Sequence, residues 1–152
     1  MKIYQAHREL LVRPGDAARG TEVFTRACSA CHTHQGKGGK VGPDLTGVRN
    51  QPADALLLHI LVPNYEVVPA YQTVTIATHD GRNLSGWLAG ETDNSITLGT
   101  AFGTEETVLR KNIATLTSSS LSLMPDGLEQ AMTKTELVDL IAFLKADPTE
   151  SR

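Results

Sequence analysis

The chain has only two cysteines, and they stand close together in Cys28-Ser29-Ala30-Cys31-His32. A structural zinc site needs about four ligands, and neither a second cysteine pair nor a spaced histidine pair accompanies this one. A disulfide across two intervening residues would constrain almost nothing. No strand–helix–strand pattern of a thioredoxin-like redox pair precedes Cys28. The residue after the second cysteine therefore decides the interpretation.

His32 follows Cys31 directly, and CxxCH is the attachment signature of c-type haem. Two thiols at this spacing can form thioethers with the two vinyl groups on one porphyrin edge. The next residue then places an imidazole under the iron. Because the motif is short, its neighbours must support it.

Length and composition exclude several classes of protein. The chain has 152 residues, enough for one domain with a buried core. Its 14 Lys and Arg residues against 17 Asp and Glu give a net charge of −3, which leaves no basic surface for nucleic acid. No apolar run approaches the roughly 20 residues that cross a bilayer. Residues 1–9 lack the apolar segment of a signal peptide, so we expect either a cytosolic chain or a processed or excised piece of a longer one.

A helix is predicted on each side of the motif. Asp16 is a candidate N-cap for the first, whose small and apolar residues recur at helical spacing. Those residues are Gly20, Val23, Phe24 and Ala27. Thr133 and Glu136 form a candidate capping box for the second, and Asp147-Pro148 is predicted to end it. Its apolar stripe consists of Leu137, Leu140, Ile141 and Leu144.

Together these segments carry a longer pattern. Its parts are Gly20-x-x-x-Phe24, Cys28-x-x-Cys31-His32, Gly42-Pro43-x-Leu45-x-Gly47, a later Met-Pro and a final Leu-x-x-Phe-Leu helix. The pattern resembles a class I cytochrome c. The resemblance implies one haem c per chain, attached to Cys28 and Cys31, with His32 as an iron ligand. It also implies that the first and last helices cross at Gly20, and that the Pro43 carbonyl accepts a hydrogen bond from the His32 ring.

The same resemblance implies a methionine as the second axial ligand, a pairing that raises the haem potential. Met124 lies in a Leu-Met-Pro-x-Gly loop shortly before the last helix, where the family carries that ligand. Met132 is predicted to fill space in the core instead. Three histidines are weaker candidates for the iron, because we expect each to face solvent or to be satisfied within its own element. They are His34, His59 and His79.

The segment between the Gly-Pro-x-Leu-x-Gly loop and the Met-Pro loop is longer than a compact cytochrome c can hold. A helix over 53–62 is predicted, followed by strands at 71–78, 84–89, 95–99, 106–110 and 113–116. Turns are predicted at Asp80-Gly81 and Asp93-Asn94, and a loop at Ser118–Ser120. We therefore expect one domain over 1–152, a mainly α cytochrome c fold with an inserted small antiparallel β-sheet, α+β overall. Its helical core would cover about 15–62 and 120–146, and the β insert about 71–117.

The insert and its flanks carry a second pattern, which narrows the family. It consists of Pro63, Val67, Pro69 and Tyr71, then Asp80-Gly81-Arg82 and Gly86, then residues 120–128 and 137–144. It resembles the Planctomycetes/Verrucomicrobia-type haem-binding domain over about 15–146. That resemblance implies a domain that often terminates a large periplasmic protein. A redox protein or a fused dehydrogenase domain would then be its partner.

We expect one-electron transfer through iron held by His32 and Met124, with no catalytic residue and hence no enzyme activity of the isolated chain. Arg49, Tyr71 and Trp87 are weaker candidates for contacts with the haem edge, since ordinary packing explains them as well. One alternative is a ligand-binding or gas-sensing haem with a labile or open sixth position, because an extra sheet could build a distal pocket. Another keeps the insert as a protein-docking module and treats CxxC as incidental.

Overall fold

The computed structural model describes residues 1–147, so Pro148, predicted to end the last helix, lies outside the described residues. Within them, the α-helices are α1 (Lys2–Arg8), α2 (Ala17–Ala27), α3 (Ala53–Leu61) and α4 (Lys134–Lys145). Short 3-10 helices cover Glu9–Val12, Val48–Asn50, Pro69–Tyr71, Arg110–Asn112 and Leu128–Ala131. The strands are β1 (Thr33–His34), β2 (Lys37–Gly38), β3 (Gln72–Thr78), β4 (Asn83–Glu91), β5 (Ser95–Gly99), β6 (Glu105–Leu109) and β7 (Ile113–Ser122).

Helices α2 and α4 cross at the position of Gly20. A Cβ atom built on Gly20 would lie 2.0 Å from the main-chain oxygen of Asp139 and 2.6 Å from the Cβ of Phe143. No side chain fits there, so the glycine is what allows the two helix backbones to touch. The crossing buries one apolar cluster beneath it. That cluster consists of Val23, Phe24, Leu56, Leu140 and Leu144.

The crossing is also held by a buried carboxylate. Asp139 is 2% exposed, and it accepts hydrogen bonds from the main-chain N–H of Asp16 at 2.7 Å and from Arg19 Nε at 2.8 Å. Asp16 itself caps α2, as predicted, by accepting from the main-chain N–H groups of Ala18 and Arg19. The start of α2 and the middle of α4 are therefore joined by hydrogen bonds to charged groups, which are stronger than those between neutral partners.

We expect Asp139→Asn to lower the free energy of unfolding at neutral pH by about 1.5–3 kcal/mol, the usual value of hydrogen bonds to charged groups. Arg19 holds the pKa of Asp139 below its usual range, and the Asp16 N–H adds to this, while burial opposes it. Because the folded-state pKa is depressed, the stabilisation is complete above the ordinary aspartate pKa of about 3.9 and is lost as pH falls through the folded-state value.

Urea unfolding at neutral and acid pH would measure this difference. The exposed turn residue Asp93 provides a control, since Asp93→Asn should change little at either pH. A deficit for Asp139→Asn that stays constant down to acid pH would show that the ionised carboxylate does not stabilise the crossing.

The N-terminal segment adds to the helical core, although no element is predicted for it from the sequence. Leu10 is 6% exposed in a second apolar cluster that draws on α3 and α4. Its other buried members are Leu57, Leu61, Leu137, Val138 and Ile141. Helix α1 has no buried residue of its own, but Ile3 and Tyr4 pack partly against the cluster.

The large sheet of the described residues has the order β6-β5-β4-β3-β7, with every pair antiparallel. The 3-10 turn Arg110–Asn112 joins its two outermost strands. The four steps from Leu109 to Ile113 can span at most about 14 Å. The edges of a flat five-stranded sheet would lie roughly 19 Å apart. The sheet must therefore curl toward a barrel, which gives it a core of its own.

That core is formed by one face of the sheet, as the alternation of the strands predicts. Its buried members are Val74, Ile76, Ile96, Leu98 and Val108. On the opposite face, hydroxyl groups pair across strands: Thr75 with Ser85 at 3.0 Å, and Thr97 with Thr107 at 2.8 Å. Within the described residues, the sheet thus has an apolar core of its own.

The predicted fold class is wrong. Of the described residues, 38% are helical and 27% lie in strands, so this is not a mainly α cytochrome fold with a small inserted sheet. All five predicted strands form, but β4 and β7 are longer than expected. The Ser118–Ser120 segment, predicted as a loop, continues β7 because Gln72 and Val74 of β3 pair with Ser122 and Ser118. The proposed boundaries between core and insert stay a prediction.

Candidate functional site

The CxxCH segment continues α2 as a tight helical turn. The Cys28 N–H donates to the Phe24 oxygen at 2.9 Å, and the His32 N–H donates to the Cys28 oxygen at 2.9 Å. The Cys31 N–H also donates to the Cys28 oxygen, at 3.1 Å. These bonds keep Cys28, Cys31 and His32 within one compact turn, the short spacing that a ligand binding all three requires.

The His32 ring is oriented from behind by the loop that follows. Its Nδ1 donates to the Pro43 carbonyl oxygen at 2.8 Å, the hydrogen bond implied by the resemblance. This bond sets the tautomer and leaves Nε2 to face a metal. A Cβ on Gly42 would lie 2.5 Å from His32 Cε1, so the loop can lie against the ring only because residue 42 is glycine.

The Gly-rich stretch before this loop is packed tightly against the motif. The N–H groups of Val41 and Gly42 donate to the Cys31 oxygen at 3.0 and 2.8 Å. A Cβ on Gly38 would lie 2.2 Å from the His32 main-chain oxygen, and one on Gly39 would lie 2.1 Å from that of Ala30. The glycines thus let residues 38–42 wrap closely around the CxxCH turn.

The two thiols are free and half-buried. Burial raises the pKa of Cys28 to about 11, and the neighbouring Cys31 adds to the effect. Burial therefore disfavours the thiolate, which is the form that zinc ligation and disulfide exchange use. In residues 1–147, no group of three or more His, Cys, Asp or Glu side chains is placed to hold a metal ion.

His34 is buried, which corrects the prediction that it faces solvent. It is 6% exposed, and its ring lies 5.5 Å from that of Phe24 and 4.7 Å from that of Phe143. Burial lowers its pKa, although the charge of Asp44 opposes this. His34 thus belongs to the aromatic packing between α2 and α4. His79 is exposed, as predicted, whereas His59 is half-buried beside Tyr65 of the following turn.

Met124 is half-buried in the bend that follows β7, and its N–H donates to Ser122 Oγ at 3.0 Å. Met132 contributes to both apolar clusters of the helical core, which confirms its prediction as a space-filling residue.

The three weaker candidates for contacts with the haem edge lie in two different parts of the structure. Arg49 pairs with Asp147 at 3.4 Å, near the end of α4. Tyr71, in the 3-10 helix before β3, lies beside Trp87 of β4 with ring centroids 6.1 Å apart, and Trp87 packs where a Cβ on Gly99 would lie 2.3 Å from its Nε1. That Nε1 is buried, and within residues 1–147 it has no hydrogen-bond partner.

Sequence reasoning missed a polar side chain that touches the Met124 loop. Asn64, in the turn after α3, bonds to Ser122 and to Asp126, one on each side of Met124. These partners lie far from Asn64 in sequence, and no local pattern connects them.

The arrangement fits haem, because free thiols, an imidazole with Nε2 available and a glycine cradle against the ring lie on one short unit. This unit defines a c-type haem-attachment site.

Residues 15–88 match the family cytochrome c oxidase, cbb3-type, subunit III, a span that includes both cysteines, His32 and Pro43 and ends before Met124. No curated protein matches the chain.

The chain therefore carries a cytochrome c haem-binding domain, with covalently bound haem c and iron, and the domain is an electron-transfer module. The Planctomycetes-type subclass is not confirmed by the match. None of the helices in residues 1–147 is long and apolar enough to cross a membrane.

Proposed function

We propose that this protein carries single electrons through a haem c whose iron is bound by His32 and Met124. The observation that carries the proposal is the Nδ1 bond of His32 to the Pro43 oxygen at 2.8 Å. A hydrogen bond on the far nitrogen fixes the ring plane and the tautomer, so that Nε2 presents its lone pair to the iron. Bound haem supplies the one-electron iron couple.

The residues of the chain have three tasks in this proposal. Cys28 and Cys31 would anchor one porphyrin edge through thioethers, each made by addition of a thiol S–H across a vinyl group, which needs no oxidant. The bonds from Val41 and Gly42 to Cys31 hold the loop against the turn, so His32 moves little between oxidation states. The α2–α4 crossing fixes the base of the turn, which keeps reorganisation small during electron transfer.

Met124 is proposed as the second axial ligand, on the strength of its place in the loop between β7 and α4. A thioether is a weak ligand, and it raises the haem potential. Such a ligand stays on iron only when its loop is held in place. The Ser122 hydroxyl contributes to this by accepting a hydrogen bond from the Met124 N–H. Trp87 stays a proposed contact of the haem edge through its half-buried ring, because its Nε1 is already covered by the protein.

The proposed setting is the periplasm, with a dehydrogenase module on the same or another chain as the electron donor. The support is the resemblance over about 15–146 together with the chemistry of haem attachment, and the family match reaches only the cytochrome c domain itself.

Paired methionine variants test the axial ligand. In Met124→Leu we expect loss of the weak far-red band of iron–thioether ligation, and a midpoint potential lower by on the order of 100 mV or more. Met132→Leu is the matched control, because Met132 packs in the helical core and its variant should keep both properties.

An unchanged spectrum in Met124→Leu would show that Met124 does not bind the iron. A wild-type protein that is high-spin and binds small ligands freely would favour the ligand-binding alternative instead.

A further inference from the structure

We infer that Asn64 is a positioning residue for the Met124 loop, acting as a clamp on both of its ends. Its Oδ1 accepts a hydrogen bond from the Ser122 N–H at 2.8 Å, and its Nδ2 donates to Asp126 Oδ2 at 3.2 Å. Ser122 and Asp126 lie two residues before and two residues after Met124. The inference rests on the proposed function, because it matters for the haem only if Met124 binds the iron.

The chemistry of the partners fixes how the amide must lie. The Ser122 N–H can only donate, so it requires the amide oxygen, and the Asp126 carboxylate requires the amide NH₂. One planar side chain therefore meets both ends of the loop with complementary groups. An isosteric leucine would meet neither, and an aspartate would place a second carboxylate against Asp126.

The clamp is anchored in the helical core. Asn64 lies in the turn that follows α3, next to the buried Pro63, and the Tyr65 N–H closes this turn by donating to the Val62 oxygen at 2.8 Å. The loop is anchored on its other side by β3, where Thr73 Oγ1 donates to the Leu121 oxygen at 2.9 Å. Asn64 thus connects the core that carries His32 to the loop that carries Met124.

The consequence concerns how easily the thioether leaves the iron. Freeing both ends of a short loop increases the conformations open to it once the sulfur has dissociated, so the dissociated state gains entropy. Losing both of these solvent-exposed hydrogen bonds should change the equilibrium by roughly 5- to 30-fold. The bond between His32 and iron should be unaffected, since the two hydrogen bonds of Asn64 involve neither the CxxCH turn nor the loop around Pro43.

The test is the affinity of the ferric holoprotein for imidazole, which must displace the thioether in order to bind. We expect Asn64→Ala to bind imidazole about 5- to 30-fold more tightly than the wild type. The far-red band should also disappear at lower urea concentration than global unfolding. Asn94→Ala is the matched control, because Asn94 is an exposed turn residue whose hydrogen bonds are made by its main chain.

A charge exchange separates positioning from general destabilisation. Asn64→Asp should weaken the clamp through repulsion from Asp126. Adding Asp126→Asn should restore imidazole affinity to near the wild-type value, because the amide and carboxylate are then simply interchanged. A merely structural role would change global unfolding without this rescue.

The outcomes distinguish the two proposals. If Met124→Leu changes the spectrum but Asn64→Ala leaves imidazole affinity unchanged, the clamp is wrong and His32/Met124 ligation stands. If Met124→Leu leaves the spectrum unchanged, both are wrong. Tighter imidazole binding in Asn64→Ala, reversed in the exchanged pair, supports the clamp.

Discussion

Replacing Gly20 with valine should lower the free energy of unfolding by about 3 kcal/mol or more, at the upper end of the cost of overpacking. The first added atom alone would lie 2.0 Å from the Asp139 main-chain oxygen. Backbone cannot rotate away as a side chain can, so α2 and α4 must separate. Separation would also stretch the bond from the Asp16 N–H to Asp139, which is 2.7 Å long in the native crossing.

Urea unfolding of the holoprotein would measure this effect, with haem yield on expression as a second readout. Gly90→Val in β4 is the matched control, because a Cβ on Gly90 meets only Thr97, at an ordinary contact distance of 3.7 Å, and its backbone lies outside the left-handed region. Equal unfolding midpoints for Gly20→Val and Gly90→Val would show that the helices do not approach as closely as described.

The helices were predictable because their signals are local. Asp16 caps α2, and Thr133 with Glu136 forms a capping box on α4, each within one turn of the helix that it starts. The extent of the sheet was not predictable in the same way. Ser118 and Ser122 are polar residues of an edge strand, and it is their main-chain pairing with β3, more than 40 residues earlier, that makes them strand.

In the candidate site too, the local features could be predicted from the sequence and the long-range contacts could not. The CxxCH turn and the Pro43 bond to His32 span few residues, so spacing and the resemblance lead directly to them. The prediction that His34 faces solvent is wrong because a polar loop predicts exposure, whereas Phe24 and Phe143 pack against the ring from two helices. The two bonds of Asn64 depend on how the curled sheet returns the chain to α3, which periodicity does not report.

Replacing both Cys28 and Cys31 with serine is expected to abolish covalent haem completely. The turn keeps both cysteines within one short segment beside His32, a spacing at which each thiol can reach one vinyl group of the same porphyrin edge. A serine hydroxyl has no comparable reactivity toward a vinyl group, and His32 alone would hold haem only reversibly. Each single variant should keep one thioether and therefore retain covalent haem at reduced yield.

Haem staining after denaturing electrophoresis would measure this, together with the intact mass, after expression with haem-attachment machinery. Ala30→Ser is the control, because residue 30 is exposed between the two cysteines and the variant keeps both thiols. Stain retained by the double variant would place the attachment elsewhere. A colourless wild-type chain would mean that the turn, despite its geometry, is not used for haem, and the insert would then be the part of the molecule to test for protein binding.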